Sequence, residues 1–158
     1  MTTAAPDNGD TNGAVSQPDV VYLSSLDPIG GLGNWKTTGS AGMGQKTYGN
    51  GIIFTPNYFN SQRLDLTFTI PSGMKHFKAT VGLDDRTAPG ATVFFQIQRN
   101  ETPVDSGFTL GVDGRQEVNP LITGAHRLTI MVEVTKRAPD SINAPLHAVW
   151  GDARFSKQ

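Results

Sequence analysis

Apolar and polar residues alternate along four separate stretches of the chain. In "RLDLTFTIP", Leu64, Leu66, Phe68 and Ile70 fall on one side and Arg63, Asp65, Thr67 and Thr69 on the other. "KHFKATVGL" places Phe77, Ala79 and Val81 together, "ATVFFQIQR" does so with Val93, Phe95 and Ile97, and "HRLTIMVEV" with Leu128, Ile130, Val132 and Val134. A period of two marks a strand with one buried face. "VVYLSSL" from Val20 and "YGNGIIF" from Tyr48 are shorter strand candidates. The Gly-rich run over residues 27–47 is expected to be mostly loop. Turn signals such as "PSG", "DDRTAPG", "RNETP", "VDGR", "TGAH" and "RAPDS" separate the periodic runs, and no stretch sustains a helical period. The pattern predicts an all-β, two-sheet antiparallel β-sandwich. Its core is expected to hold Leu66, Phe68, Phe77, Val81, Val93, Phe95, Leu128, Ile130, Val132 and Trp150.

Composition divides the chain. Residues 1–19 offer, beyond Met1, only Ala, Val15 and Pro as apolar groups, too little for a core, and read as an extended or disordered arm. Residues 20–158 form the sandwich domain. The 158 residues carry 13 Lys and Arg against 14 Asp and Glu, so electrostatics gives no reason to expect a nucleic-acid partner. No apolar run is long enough to insert in a membrane as a helix, and the first residues, with neither a basic region nor an apolar stretch, do not read as a signal peptide. The absence of cysteine removes disulfides, thiolate metal sites and cysteine nucleophiles.

Candidate chemistry is sparse. His76, His126 and His147 form no HExxH or His-x-His pair, and no Gly-x-Ser-x-Gly turn is present, so no catalytic residue is expected. Asp84 and Asp85 are neighbours, which point opposite ways in a strand and suit paired-carboxylate catalysis poorly. They read first as a turn residue and a surface ion-pair residue. Their metal reading is calcium, through carboxylate oxygens in an Asp-bearing turn. Trp150 alternates with Leu146 and Ala148 and reads as core. Trp35, Tyr48 and Tyr58 lie near Gly- or Pro-containing turns, where aromatic rings either plug a sandwich end or stack on a sugar. Together with Arg86 they are the candidate ligand-binding residues.

"VYLSSLD", "HFKATVGLDD", "ATVFFQI", "ITGAHRLTIMVEV" and "HAVWGDARF", in that order, resemble the NPCBM family, also called carbohydrate-binding module family 51, over about Val21 to Phe155. The resemblance implies a jelly-roll-like, galactose-binding-domain-like sandwich that binds sugars without catalysis, often beside glycoside hydrolases. It implies adjacent first and last strands, with Trp150 in the core and Asp152 and Arg154 on one face, within reach of Asp84 or Arg86. Two departures stand out. "GIIFTPN" replaces the family's Gly-x-Gly-Thr-His segment, with Pro56 or a neighbour at the histidine position, and Leu146 and Val149 stand where acidic residues are frequent. Both changes remove polar groups, so calcium is not favoured and no cofactor is expected. The resulting expectation is a non-catalytic glycan-binding module, extracellular or on a virion surface. A bacteriophage tail or capsid accessory protein that has lost sugar binding and contacts other subunits of an assembly is one alternative. The extracellular sensor domain of an actinobacterial kinase is another.

Overall fold

The computed structural model describes residues 18–31, 36–56, 63–137 and 145–158. Its strands, in chain order, are β1 (Val20–Tyr22), β2 (Gly30–Gly31), β3 (Lys36–Met43), β4 (Lys46–Phe54), β5 (Arg63–Thr69), β6 (His76–Leu83), β7 (Thr92–Arg99), β8 (Thr102–Pro103), β9 (Phe108–Gly111), β10 (Arg115–Val118), β11 (Arg127–Lys136) and β12 (Ala148–Ser156). They form two six-stranded sheets. The first runs β9-β7-β11-β5-β2, with β8 on β7. The second runs β10-β6-β12-β4-β3, with β1 on β12. All pairings are antiparallel.

The alternation seen in the sequence sets the inner faces. All ten predicted core residues are buried, each with no measurable exposure. Trp150, on the second sheet, joins the two layers: its ring lies 5.7 Å from Phe95 of the first sheet, edge-on, and 6.1 Å from Phe77 of its own. Edge-to-face geometry at this spacing adds to the gain from burying the rings.

The run over residues 27–47 is not mostly loop. It contains β2, β3 and the start of β4. "KTTGSAGM" lacks clean alternation, so periodicity could not reveal it. It pairs instead by backbone along β4, with a bulge between Gly39 and Ala41. The short strands β8, β9 and β10 were equally silent, being two to four residues long.

β12 is paired along both sides. Arg154 to Ser156 face β1, and Ala148 to Trp150 face β4, while β6 runs along the other edge. A bulge between Gly151 and Arg154 marks the place where β12 changes neighbour. Asp152 sits there with φ +49°, a left-handed conformation that Asp tolerates better than most residues. Its carboxylate accepts the Asn50 N–H at 2.9 Å, and the Arg154 guanidinium donates to the Asp152 carbonyl at 2.9 Å. Neither side chain bonds to Asp84 or Arg86. The Asp152 carboxylate goes to β4 and the Arg154 guanidinium to the Asp152 backbone; the two share the outer face, as the resemblance implies, but their expected reach to Asp84 or Arg86 is corrected.

Of the proposed arm, residues 1–17 lie outside the described residues. Asp19 is joined to the domain, its carbonyl accepting the Lys157 N–H at 3.0 Å. Among the described residues no helix is long and apolar enough to cross a membrane.

Candidate glycan-binding surfaces

The loop after β6 begins with a buried acid. Asp84 is 2% exposed, and its carboxylate is gripped by Arg86. The guanidinium donates to both oxygens at 2.8 and 3.0 Å, and the Arg86 N–H donates at 2.7 Å. Burial pushes the Asp84 carboxyl up, but the bonds and charge from Arg86 outweigh it and hold the group below its ordinary value. The Arg86 side chain is 63% exposed, so the pair fixes a cation that still faces solvent. A two-pronged guanidinium–carboxylate contact limits the ways the head group can point.

The same loop is laced to the chain entering β12. Asp84 N–H donates to the His147 carbonyl, Ala88 N–H to the Pro145 carbonyl, and His147 N–H to Thr87 Oγ1 at 3.0 Å. His147 is held below its ordinary pKa, first by burial and then by the Arg86 charge, with Asp84 opposing. Asp85 turns the other way and accepts the Gly44 and Gln45 N–H groups at 2.8 and 3.0 Å. Both carboxylates of the suggested calcium pair thus have protein donors. Among the described residues no three His, Asp or Glu side chains gather as a metal site.

Tyr48 is set apart from Arg86. The far half of the β3–β4 hairpin folds over the outer face of the second sheet, where Ala41, Met43, Tyr48, Ile53 and Val149 form a second small core. Tyr48 is 4% exposed, with Lys46 Nζ 5.2 Å from its ring centroid. Burial leaves no free ring face for a sugar to stack on, although Tyr48 lines two adjoining cavities on this face. Arg86 lines neither. Trp35 and Tyr58 lie outside the described residues. The described strand ends that flank residues 32–35, 57–62 and 138–144 are at the Asp84–Arg86 end of the sandwich. The outer-face groove was missed in the sequence, because its walls come from four strands distant in the chain.

A family profile described as the NPCBM/NEW2 domain matches residues 34–156. The chain belongs to the NPCBM/NEW2 domain family. No curated protein matches it by sequence. Among solved structures, the CBM51 of Clostridium perfringens GH95 in complex with methyl-galactose superposes with a TM-score of 0.65 at 20% identity, covering 87% of this chain and 99% of that one. The CBM51-2 and INT domains of Clostridium perfringens ZmpB, solved with GlcNAc, give a TM-score of 0.67 at 16% identity, over 87% of this chain and 31% of that one. At these identities the likeness shows the fold. Membership of the NPCBM family makes this a carbohydrate-binding-module domain. In the family frame, Pro56 and Leu146 are buried rather than presented to solvent, and so is Val149, under the hairpin.

Proposed function

We propose that this NPCBM domain binds glycans without altering them, through the end of the sandwich that carries Asp84 and Arg86. The observation that carries this reading is the clamped, solvent-facing Arg86. A buried carboxylate holds a five-donor planar group in place before any ligand arrives, so little side-chain entropy is lost when it donates to sugar oxygens. Family membership supports the ligand class. The GH95 relative was solved with methyl-galactose and a ZmpB module with GlcNAc, and these two sugars are the natural first probes. The ZmpB module is part of a longer chain, which supports an accessory role here: holding a larger protein, or an assembly, at a cell-surface or cell-wall glycan outside the cell. The described residues carry no feature that favours a virion or a kinase ectodomain as the setting.

Calorimetric titration with methyl-galactoside and GlcNAc, with amide shifts followed by NMR, tests the reading. Shifts are expected at residues 84–88 and His147. Arg86→Ala should weaken binding about tenfold, the loss of one charge-assisted hydrogen bond. Trp35→Ala and Tyr58→Ala examine the two aromatic candidates in the same assay. If neither sugar moves the amides of residues 84–88, this site is wrong.

A further inference from the structure

The outer face of the second sheet places two cations directly opposite each other. Lys78 on β6 and Arg154 on β12 are cross-strand partners. They line one cavity of about 580 Å³, with Lys46 on its hairpin wall, Thr80 and Asn119 beside them, and the acids Asp152 and Glu117 also in its lining. Like charges facing across a strand pair are destabilising, so such a pair is ordinarily relieved by an acid. The nearby acids do not supply one. Asp152 is turned to the Asn50 N–H, and Glu117 is registered with Thr80, beside a different row. Among the described residues Lys46, Lys78 and Arg154 make no ion pair, and Arg154 is oriented by its bond to the Asp152 carbonyl.

The cavity itself is built. Tyr48 lies on Gly151, where an added Cβ would come within 2.9 Å of its ring, and Met43 lies close over Gly82 in the same way. The missing side chains let the hairpin close down as a groove wall. A second cavity of about 380 Å³ shares Lys46, Tyr48, Thr80 and Glu117 with the first, so the groove is elongated. The first volume falls in the usual range of small-ligand sites, about 300–1,000 Å³.

We infer that this groove is a second glycan site, separate from Arg86, and that it takes an acidic oligosaccharide lying along the sheet. Its carboxylate or phosphate sits between Lys46, Lys78 and Arg154 and relieves their repulsion, and its hydroxyls meet Thr80, Asn119 and Glu117. The inference extends the glycan-binding reading but uses different residues, so either site can fail alone.

Titration with trigalacturonate and with a galactotriose phosphate monoester distinguishes the two anions, with neutral α-1,4-galactotriose as the control. At least one acidic ligand should bind about tenfold more tightly than the neutral one, should weaken as salt rises, and should shift the amides of Tyr48, Thr80, Glu117 and Arg154. Lys78→Gln and Arg154→Gln should each reduce that binding about tenfold, while Lys75→Gln, a cation outside the groove, leaves it unchanged. The wild-type amide map needs no variant to fold. Equal binding of acidic and neutral trimers, no binding of either acidic ligand, or acidic-ligand shifts confined to residues 84–88 would overturn the inference. A positive groove map with the acidic ligands, together with no response at residues 84–88 to methyl-galactoside or GlcNAc, would instead sink the Arg86 site and leave the groove standing.

Discussion

At the scale of single residues, Arg86 keeps Asp84 ionised against its burial, while burial favours the neutral form of His147. Asp84 is nearly inaccessible and depends on Arg86. Arg86→Ala should therefore lower stability as well as sugar affinity, by about 1–3 kcal/mol for a buried acceptor losing donors. The low end of that range is expected because the N–H of residue 86 still bonds the carboxylate. Chemical denaturation of the variant checks it. His147 predicts a pH dependence. Its folded pKa is depressed, so the unfolded chain binds more protons on acidification. The stability this group contributes is present above the ordinary histidine value of about 6.5 and declines as pH falls below it. His147→Gln should flatten the loss of melting temperature between about pH 7 and 5. Asp84 acts lower: its depressed pKa contributes stability present above the ordinary carboxylate value and lost as pH falls through the folded value. In the core, Phe95 has no exposure and contacts Trp150 and Phe108. Phe95→Ala should cost about 3–5 kcal/mol in denaturant unfolding, a large part of a typical domain's stability.

At the scale of elements, the β3–β4 hairpin is the distinctive feature. It pairs with the sheet at one end and lies across its outer face at the other, which needs room over Gly82 and Gly151. At Gly151 an added Cβ would meet Tyr48 Cγ at 2.9 Å, Met43 Cε at 3.0 Å and the Thr80 carbonyl at 3.0 Å. The side chains have some freedom to shift, but the carbonyl belongs to a paired strand. Gly151→Ala should then cost about 1–3 kcal/mol by overpacking and lift the hairpin. A lower melting temperature with Tyr48 and Met43 NMR shifts displaced would confirm this, and an unchanged melting temperature would not fit the contact. The bulge at Asp152 belongs to the same scale. It lets one strand serve β4 along its first half and β1 along its second, and so ties the last strand of the chain to the first.

At the scale of the whole molecule, a continuous core between two sheets supports two separate surfaces, one at a loop end and one on a sheet face. Just ahead of β1, Asp19 is tied to Lys157 near the end of β12. Residues 2–17 contain little apolar bulk, and ordering them would cost roughly 1–2 kcal/mol of backbone entropy per residue. A chain of residues 18–158 should melt within about a degree of the full chain, because the deleted residues offer so little apolar surface to bury. A clear drop in melting temperature would mean that the deleted residues pack on the domain.

The sequence by itself determined the sheets' inner faces. Alternation at Leu64 to Ile70, at Phe77 to Val81, at Val93 to Ile97 and at Leu128 to Val134 admits one register, since a slip by one residue would expose every large side chain. It also carried the family, through five motifs spread over nearly the whole domain. Tertiary structure decided the rest. β3 has no alternation to read, because it is held by backbone pairing and covers an outer face. Whether Tyr48 is a ligand platform or a packed side chain depended on Gly151, a hundred residues away in the chain. The two proposed binding surfaces differ in the same respect. Arg86 is defined locally by Asp84 two residues earlier and was a candidate from sequence, whereas Lys46, Lys78 and Arg154 come together only because three strands share a sheet. Local chemistry is legible in a sequence; charge gathered across strands is not, because the pairing that gathers it is set by the fold.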